Sequence, residues 1–483
     1  MALQSVSAYQ TKLYQVAFGL VLVVLGVFAI RSMASGSLKS GGLVVGGLAA
    51  MALVMALDRR YWLLIPLLGT TGVSIPGLPF SGGELAQIAV VGTHFARLGM
   101  HRDRAAKLDS STWPVLPVFL WIAGIFCLNP TGLAIFGNKT IGFRFYMQIV
   151  LGFLTFFALA SQKLDDSDCK IYFKTLVLCT CVNLLKGILI PQADPDAIPI
   201  VGGEPERSSK YAFIAFGTLY MLLFAKRPIS EILSSFPLLV MAGFFALFTV
   251  YSGKRQMAGR LFLIPWFAAF LRARGRMVTF VCSAVGAVLL VFLIAGDGHM
   301  YTLPKSAQRS FAIVAPAKYA KRTDDGGIRD LFRRELREHA RKIIAEHPFV
   351  GRKGFAMSFE EAVWMHYGGT DDIYEGHAYA GNWHSTWYAY AADFGLPCMA
   401  LFALFAFKVA SFECRWCRRI PPGTYSHAMI MYLSLWTLCI LAFSYTSGQS
   451  ATTFSVFCLN FGLAIAVAAG AAGADGLPQG TRA

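Results

Sequence analysis

The sequence predicts an all-α polytopic membrane protein, with about 12–14 transmembrane helices and one long outer loop that contains an amphipathic helix. Three observations predict it. Of the 483 residues, 56% are hydrophobic and 14% are charged, and the mean hydropathy is +0.54, far too apolar for a water-soluble chain of this length. Apolar runs recur from end to end, each close to the length a bilayer requires. The basic residues fall in alternate gaps between those runs, as cytoplasmic loops place them.

In order, the apolar runs fall at 14–31, 41–57, 61–76, 84–100, 113–128, 143–160, 171–190, 210–225, 232–250, 257–271, 277–295, 387–411, 424–446 and 451–472. No small-residue cleavage site follows the first run, which therefore reads as a retained span. The third run contains Gly69, Gly72 and Pro76, with Gly77 and Pro79 just beyond, so a broken or re-entrant helix is an option there. Basic clusters occupy 59–60, 97–107, 163–174, 226–227, 272–276 and 415–419. Setting these in the cytoplasm gives a consistent topology with both termini inside. The outer gaps are then 129–142, 191–209, 251–256, 296–386 and 447–450. Four parts result: an N-terminal transmembrane bundle at 1–295, an outer loop at 296–386, C-terminal spans at 387–472, and a small-residue, polar tail at 473–483 that reads as disordered.

The net charge of +16 is accounted for by these loop clusters and does not point to nucleic acid. The 10 cysteines sit mostly inside apolar runs and none lies in 296–386, so no disulfide framework is implied. Cys414 and Cys417 have CxxC spacing but no second pair to complete a zinc site. His94, Arg97, Arg144, Lys186 and Lys408 lie mostly near span ends, against a proton-coupled transporter.

Within the outer loop, Ile328, Leu331, Phe332, Leu336, Ala340, Ile343 and Ile344 recur at three- and four-residue steps, which predicts a helix over 328–346. Its other face holds Arg333, Arg334, Arg337, Arg341 and Lys342, and Pro348 stops it. Such a helix lies on a membrane or roofs a cavity, although a solvated charged face has the same pattern.

Cations on the outer side call for explanation. Lys254 and Arg255 sit on a turn too short to leave the membrane surface, and Arg207 and Lys210 flank Ser208-Ser209 at the start of another span. Either they reach headgroup phosphates, or they hold a local anion; arginines suit a diphosphate because each guanidinium offers two parallel donors. His384 enters the membrane in Asn382-Trp383-His384-Ser385 and has the pKa range of a base at neutral pH. A structural histidine bonded to a carbonyl is the alternative. His377 is a weaker candidate nearby. The cluster Asp371-Asp372-Ile373-Tyr374-Glu375-Gly376-His377 has metal-binding groups without a metal-loop spacing, and reads first as a hydrated loop.

The order of these features resembles the O-antigen ligase and polymerase family of bacterial membrane glycosyltransferases. Ser252-Gly253-Lys254-Arg255 is similar to the family's Ser-x-Ser-Arg turn. The arginine-rich helix followed by Pro348-Phe349-Val350-Gly351-Arg352-Lys353-Gly354 is similar to its helix and glycine turn, and His384-Ser385 followed by Asp393-Phe394-Gly395-Leu396-Pro397 to its His-Asn entry into the next span. The likeness covers roughly 205–410. Ser385 replaces the family's asparagine, Lys254 a serine, and Cys398 a glycine, which leaves donor and acceptor specificity open.

The resemblance implies a bacterial inner-membrane enzyme with a periplasmic active face and no cofactor or metal. It moves a glycan from an undecaprenyl-diphosphate-linked donor to a hydroxyl on another glycan or on lipid A core. Arg255 and Arg207 would hold the diphosphate, assisted by Lys254, Lys210, Arg352 and Lys353. His384 would orient or deprotonate the acceptor, with Asn382 and His377 beside it. A lipid-linked glycan transporter or flippase is the competing class; it calls for paired broken helices and ionisable groups at mid-membrane.

Overall fold

The computed structural model describes residues 58–70, 81–99, 113–129, 143–189, 209–251, 255–272, 275–303, 307–308, 311, 315–319, 324–354, 383, 385–445 and 450–474. The architecture is all-α, that of a multi-span membrane protein. The spans expected at 14–31 and 41–57 lie outside the described residues. The run after them begins irregularly, as a 3-10 turn Asp58–Leu63 followed by a π turn Ile65–Thr70.

The α-helices of six residues or more are α1 Gly82–Gly99, α2 Val115–Leu128, α3 Phe143–Ala160, α4 Asp166–Leu189, α5 Ser209–Lys226, α6 Ile229–Ser234, α7 Phe236–Tyr251, α8 Arg255–Arg272, α9 Arg276–Gly296, α10 Asp324–Glu346, α11 Thr386–Phe394, α12 Leu396–Arg419, α13 Tyr425–Phe443 and α14 Ser450–Ala474. Among the described residues, four helices are both long and apolar enough to cross a membrane: Arg276–Gly296, Leu396–Arg419, Tyr425–Phe443 and Ser450–Gly473. Shorter apolar helices, Val115–Leu128, Phe145–Ala160, Ala215–Lys226 and Phe236–Val250, pack among them. The α9 helix makes the membrane reading physical. Its span window is only 6% buried, and Met277, Phe280, Val291 and Phe292 are more than half exposed. Water would oppose that much contiguous apolar surface, whereas lipid accepts it.

Local chemistry sets several helix ends. Ser81 and Glu84 form a reciprocal box at the start of α1: Ser81 N donates to Glu84 Oε2 at 2.6 Å, and Glu84 N to Ser81 Oγ at 3.3 Å. The Thr424 hydroxyl caps α13 by accepting from His427 N at 3.1 Å. Pro265 removes an N–H from the middle of α8, which strips the Leu261 carbonyl of its helical donor; the buried Tyr220 hydroxyl of α5 donates to that carbonyl at 3.4 Å.

The basic clusters converge at one end of the bundle. Arg272, at the end of α8, donates to the last carbonyls of α5, reaching Phe224 O at 2.8 Å and Ala225 O at 2.7 Å, where the helix has no donors of its own. Lys226 donates to Gly423 O at 3.2 Å and lies 3.5 Å from the Tyr425 ring centre. Asp166 accepts from Ser426 N at 2.8 Å, and Asp168 pairs with Arg60 at 3.2 Å. These contacts join the ends or starts of α4, α5, α8 and α13 and the turn before α1. The alternation read from the sequence is thus a shared end in space.

Two helices approach in parallel with little between them. Gly152 of α3 faces Ser455 of α14, Gly462 lies against the Phe156 carbonyl, and Leu164 N donates to Ala466 O at 3.0 Å. A Cβ on Gly152 would stand 2.7 Å from Ser455 Cα, so the contact depends on the missing side chain. Gly152→Leu is expected to lower stability by about 1–3 kcal/mol through overpacking. Gly124→Ala, on α2 where an added Cβ meets nothing within 4 Å, should change it by less than about 0.5 kcal/mol. Thermal unfolding in detergent measures both, and equal stabilities would contradict the close α3–α14 packing.

Candidate functional site

The run expected as one span over 387–411 is two helices. Chain direction breaks at Gly395, whose φ is +89°, between α11 and α12. Pro397 then occupies the first turn of α12, where its missing N–H costs nothing. Against this break docks the 348–354 turn. Arg352 N donates to Ala392 O at 2.8 Å, Gly354 N to Asp393 O at 2.6 Å, and Leu396 N to Pro348 O at 2.8 Å. The two backbones touch because glycines meet there: a Cβ on Gly351 would collide with the Ala392 carbonyl, and one on Gly395 with the Phe349 carbonyl.

Asp393 sits at the centre of this junction with no exposed surface. Its Oδ1 accepts from Arg352 Nε at 2.9 Å, from Arg352 Nη2 at 2.8 Å and from Trp383 Nε1 at 2.9 Å; its Oδ2 accepts from Ser450 Oγ at 3.1 Å. A carboxylate is held out of water only where donors and a cation replace its hydration. Here the donors come from the glycine turn, the loop end and the start of α14. Arg352 also lies 5.4 Å from the Trp383 ring centre, so cation, indole and carboxylate form one buried unit.

The amphipathic helix α10 closes over this unit. The sequence reading placed it at 328–346, and it runs Asp324–Glu346. Leu336 and Ala340 are fully buried against Trp383, Ala389 and Ala392, flanked by Ile343 and Ile344. His339 stacks on Trp383 at 6.0 Å and 18°. Of its cations, Arg341 Nε donates to the Tyr388 hydroxyl at 3.1 Å, and Arg337 stands 5.4 Å from the Tyr445 ring centre. These two arginines are tied to aromatic rings, whereas Arg334 pairs with Glu338 on the exposed face at 3.1 Å.

The residues flanking His384 are both anchored. Trp383 is bonded to Asp393, and Thr386 N donates to Ser444 O at 2.8 Å at the end of α13. Ser385, which stands where the related pattern has asparagine, is fully buried and its hydroxyl reaches the same Ser444 carbonyl at 3.5 Å. The α13 end meets α8 in turn: a Cβ on Gly259 would stand 2.5 Å from Phe443 Cζ. The start of α8, the end of α13 and the start of α11 therefore share one end of the bundle, opposite the basic clusters.

His384, His377, Asn382, Arg207, Lys254 and the Asp371 to His377 cluster lie outside the described residues. For Lys210 and Arg255 the backbone is described: they occupy the first turns of α5 and α8. Lys353 is exposed with φ of 64°. Arg352 was expected to assist at a phosphate; its guanidinium is engaged by Asp393 and largely covered, with 12% of the side chain exposed.

Sequence reasoning did not single out Asp393 or Trp383 as site residues, although both stand in the motifs it quoted. Their signal was an acidic residue and an indole beside a predicted span entry, but their partners are 10 to 57 residues away. It also missed Arg260, an ionisable residue within the apolar run of α8, and Glu413, which lies in α12 between an apolar run and the 415–419 basic cluster. Among the described residues, no group of His, Cys, Asp or Glu has an arrangement that could hold a metal. In comparisons with known proteins, no family model and no curated sequence matches this chain.

Breaking the buried pair should be costly from either side. Asp393→Asn and Arg352→Gln are each expected to destabilise by about 3–5 kcal/mol, because each leaves the other group buried without its partner. The double variant should lose less than the sum, with a coupling of at least about 1 kcal/mol. Thermal unfolding of the four proteins reads the cycle, and strict additivity would show that the pair acts independently.

Proposed function

We propose that this chain is a membrane glycosyltransferase of the O-antigen ligase and polymerase type, acting at the end of the bundle opposite the basic clusters. The observation that carries the reading is the junction at Asp393. The glycine turn, the segment beside His384 and the Asp-Phe-Gly break are the sequence features that carry the resemblance, and they are bonded to one another through it. The start of α8, which follows the Ser-Gly-Lys-Arg turn, belongs to the same end. On this reading that end is periplasmic, the termini are cytoplasmic, and the bilayer is a bacterial inner membrane.

The chemistry asks for little beyond placement and charge. The donor is a glycan on an undecaprenyl diphosphate. An acceptor hydroxyl oxygen attacks the anomeric carbon, the bond from that carbon to the diphosphate oxygen breaks, and the diphosphate leaves with the electron pair. Arg255 and Arg207, with Lys254 and Lys210 beside them, neutralise the charge that builds on the leaving group. His384 takes the hydroxyl proton. Trp383 and Thr386, on either side of that position in the chain, are both tied down.

One observation favours a transporter instead. Glu413 is fully buried in the span Leu396–Arg419, with the Thr437 hydroxyl beside it and no cation paired with it among the described residues; intramembrane acids of this kind serve proton relays. A single assay separates the readings. Purified protein given a lipid-linked glycan and acceptor should transfer the glycan in the presence of a chelator. His384→Ala or Arg255→Ala should reduce the rate at least about 100-fold while the thermal unfolding profile stays that of the parent. Full activity in both variants would remove the site assignment. Proton-dependent movement of the intact lipid-linked glycan, abolished by Glu413→Gln, would favour the transporter.

A further inference from the structure

We infer that Arg260 forms a second anion site, inside the bundle, that receives a phosphate-bearing group from the same end at which Arg255 stands. The residue lies on α8 five positions beyond Arg255, which sets it about 7–8 Å deeper along the helix. That is comparable to the thickness of one headgroup layer, roughly 5–8 Å, so an Arg255 set at headgroup level would put Arg260 near the hydrocarbon boundary.

The surroundings do not neutralise it. Arg260 Nε is buried without a hydrogen-bond partner. Its Nη1 reaches only the Met257 thioether sulfur, at 3.8 Å, which is a weak acceptor. The guanidinium lies 5.2 Å from the Trp436 ring centre, a contact that favours the cation and still satisfies none of its N–H groups. Among the described residues no carboxylate pairs with it. Elsewhere in the bundle the inward-reaching cations do find oxygen: Arg272 takes three backbone carbonyls, and Arg352 takes Asp393. Among the described residues Arg260 has no such oxygen partner, its contacts being with Met257 and Trp436, and an ionisable group inside a membrane bundle is a functional candidate by default.

The space beside it has the right form. Arg260 lines a cavity between α5, α7, α8 and α13, whose other walls include Gly217, Thr218, Met257 and Trp436. Thr218 brings a hydroxyl that can donate to an anion. Thr249 contributes less, because its hydroxyl already donates to Phe245 O at 2.6 Å. The Met257 side chain, resting on the guanidinium, is the adaptable wall: a flexible thioether can swing aside where a branched residue would not. Closed, the cavity is small; displacing Met257 would open it at the guanidinium.

The site stands on these contacts alone. Identifying its ligand as the donor's diphosphate, passed from Arg255 to Arg260 as it leaves, rests on the transferase reading. Binding can be measured without any transfer. Full-length protein in discs of zwitterionic phosphatidylcholine would be titrated with farnesyl diphosphate, with inorganic pyrophosphate, or by doping in phosphatidylglycerol, with thermal stability as the readout. Farnesyl diphosphate is expected to stabilise the parent, and Arg260→Met to weaken the response about 30-fold or more. Arg260→Lys, which keeps the charge but loses the fork, should retain part of it. Thr218→Val should weaken binding several-fold and provides the test where Arg260→Met does not fold. A response to farnesyl diphosphate alone assigns a lipid-borne diphosphate; an equal response to pyrophosphate assigns a soluble one, and to phosphatidylglycerol a bilayer headgroup. Binding unchanged in Arg260→Met and Thr218→Val, or no response to any of the three, overturns the site. Arg260-dependent binding without glycan transfer would keep this site and remove the transferase.

Discussion

The architecture at the end opposite the basic clusters depends on keeping one buried carboxylate supplied with donors. Asp393 has no exposed surface, and its oxygens are filled by Arg352, Trp383 and Ser450. Each donor comes from a different stretch of chain, so satisfying the carboxylate also fixes where those stretches meet. The penalty for leaving such a group unpaired exceeds what any surface ion pair contributes. That is why a loop end, a glycine turn and two helix starts adopt one arrangement and not an ensemble of docked states.

The rest of that end follows from the junction. With Trp383 held by Asp393, its other face is free to stack on His339, which seats α10 over α11. With Thr386 tied to Ser444, the loop end is joined to α13, and through the Phe443 contact with Gly259 to α8. The arginine-rich face of α10 is partly consumed in this seating, since Arg337 and Arg341 reach Tyr445 and Tyr388. The basic end is built differently. There, cations cap helix carbonyls and lie on Tyr425, interactions that suit a wet interface and demand no single geometry.

The parts of this fold with a local cause were legible in the sequence. Hydropathy marked the runs, and the charge alternation put 163–174, 226–227, 272–276 and 415–419 at one end, where the contacts of Asp166, Lys170, Lys226, Arg272 and Arg418 place them. The three- and four-residue spacing of Leu336, Ala340, Ile343 and Ile344 marked α10 and its buried stripe. What depended on distant partners was not legible. A hydropathy window passes over Gly395-Leu396-Pro397, because one glycine and one proline beside a leucine do not lower it enough to reveal a break. Asp393 in Ala-Asp-Phe looks like a polar intrusion until Arg352, 41 residues away, is beside it. Arg260 was hidden by its neighbours, whose apolarity defined the run it interrupts. For Arg352 the sequence offered only the phosphate reading, and its pairing with Asp393 was not legible.

Hydrogen exchange tests the dependence on Asp393 most directly, because the docking is made of backbone amides. In the parent protein the amides of Arg352, Gly354, Leu396 and Thr386 are bonded across the junction and should exchange slowly relative to other loop positions. In Asp393→Asn, exchange should accelerate across 349–354 and 383–386 together, while α12, α13 and α14 keep their protection. Unchanged exchange in both segments would mean that the turn and the loop end hold their places without the carboxylate, and would contradict the account.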